Sequence, residues 1–228
     1  MTQFNKTLCA LMLSILMVTT ASAGEIWKIT SLDWQPYSDS KSPTQGNSIQ
    51  KLRTLLKKAD IDLIVEFYPW ARAQEIAKQN GYVGYFPAWP EEVGEGFIAS
   101  PAVDWSEVGV MTYIGSGLEW TSLEKLFKSK VGLVSSYEYP EEIDKLAFSR
   151  PRNVDPTPNE MALLKKLSAA RIDAAITDPT VMFYLAEEVG IDNIKVLKVL
   201  RKSALVVAFR NDAKNLEKMK VLEGLLEE

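Results

Sequence analysis

Short apolar, β-branched runs alternate with amphipathic helical patterns almost from end to end of this chain, and few folds accommodate that alternation. Residues 26–32 (IWKITSL) predict a strand. Residues 48–59 carry Ile49, Leu52, Leu55 and Leu56 on one face and Lys or Arg elsewhere, the pattern of an amphipathic helix. Residues 61–67 (IDLIVEF) predict the next strand, ARAQEIAKQ a helix and GYVGYFPA a third strand. The order β-α-β-α-β predicts a largely parallel sheet covered by helices.

A second series follows an extended segment at residues 107–115. Thr121-Ser122-Leu123-Glu124 reads as a capping box before a short helix, and KVGLVSS as a strand. Thr157-Pro158-Asn159-Glu160 reads as another capping box with proline at the first helical position. RIDAAITD predicts a strand, Asp178-Pro179 caps a helix running to Glu188, and NIKVLKVL and ALVVAFR predict two further strands before a last helix over residues 213–226. The chain thus divides into two α/β units of similar size, joined near residues 113–117.

The amino terminus has a different character. After Lys6 comes an apolar run from Leu8 to Val18, then Ala21-Ser22-Ala23, which reads as a secretory signal peptide over residues 1–23 cleaved after Ala23. Cys9, the only cysteine, lies within it, so the exported chain offers no disulfide, thiol nucleophile or cysteine metal ligand. The chain has no histidine, which excludes Ser-His-Asp and Cys-His catalysis and histidine-based zinc sites; no cofactor is expected. Lys6 is the only charge in the leader, so its removal makes the chain one unit more acidic than its net −4. Such a chain has no electrostatic reason to bind nucleic acid or an anionic membrane.

Ligands of doubly wound sheets bind beyond the carboxyl ends of the strands, which selects the segments after Leu32, Phe67, Phe86, Val134 and Thr177. Trp34 and Tyr37 follow the first strand, either as aromatic walls for a small organic ligand or as core aromatics. Tyr68-Pro69-Trp70-Ala71-Arg72 follows the second, an unusual cluster for a strand-to-helix junction. Trp89 and Glu91 follow the third, and Glu91 is either a partner for a ligand ammonium or a solvated loop carboxylate. Ser135, Ser136 and Tyr137 precede a helix start at Pro140, where backbone N–H groups and hydroxyls favour an anionic ligand group. Asp178 is an N-cap with lone pairs to spare.

The pieces LDWQPYSD, PWARA, FIASPAV, WTSLEKLFKSKVGLVSSYEY and NEMALLKKLSAARIDAAITDPTVMFYL, in that order, give the chain a resemblance to the periplasmic solute-binding proteins of family 3, the amino-acid-type binding proteins of ABC transporters. The resemblance covers nearly the whole chain after residue 23. It implies a two-lobed α/β fold of the type 2 periplasmic binding kind with a ligand cleft between lobes. Lobe one would comprise residues 24–113 and 202–228, lobe two residues 118–198, and the hinge residues 113–117 and 198–202. It further implies a monomer that captures a small polar solute in the periplasm for an ABC permease of the inner membrane, with Asp178 where relatives hold an α-ammonium group.

Two departures qualify the resemblance. Relatives that grip an α-carboxylate carry an arginine about seven residues before the serine matching Ser100, and Val93 stands there. Arg72 then becomes the cation available to a ligand carboxylate, unless it pairs with Glu66 or Glu75 at the surface. The family also continues past the last helix, whereas this sequence stops at Glu228, as a short or an incomplete member. Two alternatives to transport are a sensory or partner-binding module, and a dehydratase-like enzyme using Glu91 or Asp178 as acid or base.

Overall fold

The computed structural model describes residues 24–227, so the signal-peptide reading and Cys9 lie outside the described residues. The first series becomes β1 (Glu25–Ser31), α1 (Asn47–Lys57), β2 (Ile61–Phe67), α2 (Trp70–Ala77) and β3 (Gly84–Ala88). A 3-10 turn at Pro90–Glu92 and the short β4 (Phe97–Ala99) lead into β5 (Asp104–Tyr113). The second series is α3 (Leu123–Leu126), β6 (Val131–Val134), α4 (Glu141–Ser149), β7 (Val154–Thr157), α5 (Glu160–Ser168), β8 (Ala174–Thr177) and α6 (Pro179–Glu188). The chain closes with β9 (Ile194–Arg210) and α7 (Ala213–Glu227).

Among the described residues the strands form one nine-stranded sheet in the order β2-β1-β3-β9-β5-β8-β6-β7, with β4 also on β9. Pairing is parallel among β1, β2 and β3 and among β6, β7 and β8, and antiparallel wherever β5 or β9 takes part. The expected parallel sheet is therefore two parallel halves with an antiparallel centre. Helical stripes close over them as the periodicity demands: Ile49, Leu52 and Leu56 of α1 are at most 1% exposed. Each contributes roughly 1.5–3 kcal/mol of burial.

The centre departs from the sequence reading. NIKVLKVL and ALVVAFR are not separate strands but one 17-residue strand, because Arg201, Lys202 and Ser203 continue the pairing with Val108, Glu107 and Ser106. Strand β9 pairs with β5 up to Leu205, then passes to β3 and β4 from Val206 onward. Residues 104–108 of β5 have only β9 as a partner, since pairing with β8 begins at Gly109. The two halves are joined by this ribbon, residues 104–108 against 201–205. Residues 113–117 follow the last pairs of β5, and there Ile114 N–H bonds to Asn193 O.

Two helix starts also shift by a residue or more. Ser122, not Thr121, caps α3, accepting from Lys125 N–H. Asn159, not Thr157, caps α5 through Ala162 N–H, because Thr157 completes β7 and donates its hydroxyl to Leu133 O. Asp178 caps α6 as expected, accepting from Thr180 and Val181 N–H.

The passage of β9 onto β3 needs a close approach. A Cβ on Gly84 would stand 1.8 Å from Ala208 O, a backbone atom that cannot rotate away. Gly84→Ala is expected to cost about 3 kcal/mol, as overpacking of a rigid contact does. Urea denaturation measures this, and an unchanged midpoint would contradict the approach described.

Candidate ligand site

The carboxyl ends of both parallel halves face a common cleft of about 440 Å³. Leu32 and Asp33 after β1 and residues 67–71 at the end of β2 form one wall. Val134, Ser136 and Tyr137 at the end of β6, with Pro158, Asn159 and Glu160 after β7, form the other. Parallel strands leave their loops and helix amino ends at this edge, which is why such sheets bind ligands there.

Behind the cleft lies an aromatic cluster. Trp34, Trp70 and Trp89 are at most 5% exposed. The Trp34 ring lies 4.7 Å from that of Tyr37 and packs edge-on at 5.9 Å against Trp89, which reaches Tyr137 at 6.0 Å across the cleft. Such offset and edge-on pairs are favoured by the ring quadrupoles. The loop carrying Trp34 and Tyr37 is tied down by its own backbone: Trp34 N–H donates to Ser38 O at 2.8 Å, and Ser48 N–H to Tyr37 O at 3.0 Å.

Every polar edge of this cluster meets a carboxylate or a hydroxyl. Trp70 Nε1 donates to Glu92 Oε1 at 2.7 Å, and Trp89 N–H to Glu92 Oε2 at 3.0 Å. Trp89 Nε1 donates to Ser106 Oγ at 2.8 Å. Across the cleft, Trp34 Nε1 donates to Glu160 Oε1 at 2.8 Å, and the Tyr137 hydroxyl donates to the same oxygen. Tyr37 Oη donates to Asp178 Oδ2 at 3.1 Å, and that oxygen also accepts Glu107 N–H at 3.0 Å. Asp178 therefore caps α6, holds the connecting ribbon and grips the opposite half at once.

Burial dominates the electrostatics. It pushes Glu92 up to about 8 against the Trp89 and Trp70 donors, and Glu160 to about 7 against the Tyr137 hydroxyl. Asp178 is raised for the same reason, opposed by the N–H of Glu107. A carboxyl whose folded pKa is raised binds more protons in the native state than in the unfolded one, so native stability falls as pH rises from the ordinary carboxylate range toward the folded value. Glu66 behaves oppositely, held at about 2 by Lys28 and Tyr82, but its contribution is complete above its ordinary range and is flat in this window.

The structure distributes the sequence candidates unevenly. Trp70, Ser136 and Tyr137 line the cleft, while Trp34, Tyr37, Trp89 and Asp178 stand behind it or bridge its two sides. Trp70 opens α2 with Pro69 as the capping position, which turns its indole inward onto Glu92. Arg72 is exposed, its guanidinium 5.8 Å from the ring of Tyr68 in the cleft wall, and is not itself among the residues lining the cleft. Glu91 is engaged by Arg201. Ser135 is exposed and spends both its N–H and its hydroxyl on Thr157 O. Val93 is half-buried against the core.

Glu92 and Glu160 are the residues that sequence reasoning missed. The sequence pattern places Glu160 in a capping box from Thr157; the helix is capped two residues later, by Asn159, and its first residue, Glu160, is free to face the cleft. The competing signal was Asn159, an equally good N-cap. Unfolding by urea between pH 5 and 8 is expected to show stability falling by up to about 1.4 kcal/mol per pH unit for each raised carboxyl, and Glu92→Gln to flatten the upper part of that slope. A flat or rising wild-type profile would contradict the burial assigned to these groups.

No family model and no curated protein matches the chain. Solved structures do. A histidine kinase sensor domain with similarity to periplasmic binding proteins superposes with a TM-score of 0.76 at 15% identity, covering 90% of this chain and 90% of its own. An ancestral arginine-binding protein bound to arginine gives 0.73 at 15% identity over 90% and 92%. A substrate-binding protein of an ABC uptake transporter from Streptococcus pneumoniae, with bound histidine, gives 0.68 at 17% identity over 88% and 85%. The chain has the α/β fold of the periplasmic binding proteins, in the form shared by amino-acid-binding and ABC substrate-binding members.

Proposed function

We propose that this protein is a periplasmic receptor that captures a small polar solute in the cleft between two lobes and delivers it to an ABC permease. The single observation that carries the reading is the cleft itself, walled from both parallel halves at the carboxyl ends of their strands. Residues 24–103 and 206–227 would form one lobe and residues 109–200 the other, with residues 104–108 and 201–205 as the hinge. A two-stranded ribbon of this kind bends by small changes in a few backbone angles, the ordinary basis of hinge closure. The bonds of Trp34 to Glu160 and of Tyr37 to Asp178 then act as a latch that spans the cleft when the lobes meet.

Binding without turnover is the proposed activity, in keeping with the solute-binding proteins that share the fold. Among the described residues no helix is long and apolar enough to cross a membrane. The likeness to a histidine kinase sensor domain favours one second reading, in which the same ligand event is reported to a membrane receptor instead of driving uptake.

A thermal-shift screen of amines, amino acids, organic acids and short peptides tests the binding reading. A ligand at a hundredfold excess over its Kd stabilises the native state by about 2.7 kcal/mol. One chemical class is expected to raise Tm and to change the fluorescence of Trp34, Trp70 and Trp89, with each ligand recovered unchanged. Silence from every class would remove the receptor reading, and conversion of a ligand would make the protein an enzyme. Loss of uptake on deletion of the gene marks transport, whereas intact uptake with altered signalling marks the sensory role.

A further inference from the structure

Resting on the solute-capture reading, we propose that the cleft selects organic cations without a carboxylate, an alkyl or quaternary ammonium group held between aromatic faces and the Glu160 carboxylate. The walls hold two acids, Asp33 and Glu160, and not one Lys or Arg. Tyr68, Trp70 and Tyr137 supply ring surface at the same edge, and a cation over such faces is attracted by their quadrupoles.

Glu160 is the anchor. It is 5% exposed, and both side-chain donors that reach it, from Trp34 and Tyr137, fall on Oε1. Its other oxygen takes no bond from another residue's side chain among the described residues. A buried carboxylate with neutral donors alone is costly to ionise, and a bound ammonium supplies the missing charge.

An α-amino-acid or a simple acid meets the reverse situation. Arg72 lies over the Tyr68 ring without lining the cleft, and Arg201 is engaged by Glu91. At the amino end of α5, Asn159 Oδ1 takes Ala162 N–H, and the Glu160 carboxyl stands on the first helical residue. Asp178, where relatives hold an ammonium, already accepts from Tyr37, Glu107, Thr180 and Val181. The amino end of α2 is the feature of the wall that favours an anion, and the acid arms below test it.

Glu160 faces Tyr137 and Tyr139 from the loop after β6, Asp178 from the cap of α6, and Glu92 from the turn after β3. The tyrosines stay protonated, and the other carboxyls become anionic in the same direction as Glu160, so all of them strengthen the hold on a cation as pH rises. Isothermal titration with butylamine, choline, 4-aminobutyrate and butyrate reads the selectivity. Both amines are expected to bind, 4-aminobutyrate at least tenfold more weakly than butylamine, and butyrate not at all. Glu160→Gln is expected to weaken choline at least tenfold, with its circular dichroism and urea midpoint as the check on folding. In the unaltered protein, choline affinity is expected to rise about tenfold from pH 6 to pH 8, with proton release on binding at pH 6 that disappears at high pH.

Butyrate or 4-aminobutyrate binding more tightly than butylamine would overturn the assignment, as would a choline affinity independent of pH. Absence of binding by either amine also overturns it. The thermal-shift screen then separates the two readings: a hit from an acid or amino acid keeps solute capture without cation selectivity, and silence from every class removes both.

Discussion

One strand belongs to both halves of the sheet, and the geometry of the cleft depends on it. Strand β9 pairs first with β5 and then with β3 and β4, with register shifts after Val108, after Val110 and between Tyr85 and Ala88, so one strand holds the two parallel halves together. Because β5 and β9 alone cross between the halves, the carboxyl ends of β1 and β2 are aimed at those of β6 and β7. A ladder of this kind resists stretching but yields to bending, since its hydrogen bonds constrain separation more than they constrain twist. The close approach at Gly84 fixes one end of it, and Asp178, bonded to Glu107 N–H, fixes the side facing the second half.

Around that frame the protein has buried acids beside and behind the cleft. Glu92 and Glu160 are both buried, and each is bonded to an indole N–H. Neutral donors of this type satisfy lone pairs without compensating charge, so burial prevails and both carboxyls are held above their ordinary range. Among the described residues no Lys or Arg lines the cleft: Lys28 pairs with Glu66, Arg201 with Glu91, and Arg72 lies over the Tyr68 ring.

The elements that sequence patterning exposed were those whose identity is local. The helix over α1 follows from the spacing of Ile49, Leu52 and Leu56, the strand β2 from a short run rich in apolar and β-branched residues, and the cap of α6 from Asp178 ahead of Pro179. The errors fell where two local signals competed or where pairing partners decided. Thr157 and Asn159 are both good caps, and only the pairing of Thr157 with Val134 in the parallel ladder settles which one starts the helix. Arg201 to Ser203 look like a polar break, yet β5 supplies partners for all three.

The sequence by itself determined the alternating α/β plan, the absence of histidine and of cysteine beyond residue 9, and the aromatic richness of the strand-to-loop junctions. Each of these is carried by residues close together in the chain or by composition, and none depends on which strand lies beside which. Tertiary structure alone decided that β9 is one strand, that Arg72 lies outside the cleft lining, and that Glu160 meets Trp34 from 126 positions away. The reason is physical: the charge state and orientation of a side chain are set by the low-dielectric surroundings that distant segments bring to it, and those surroundings exist only once the two halves of the sheet are joined.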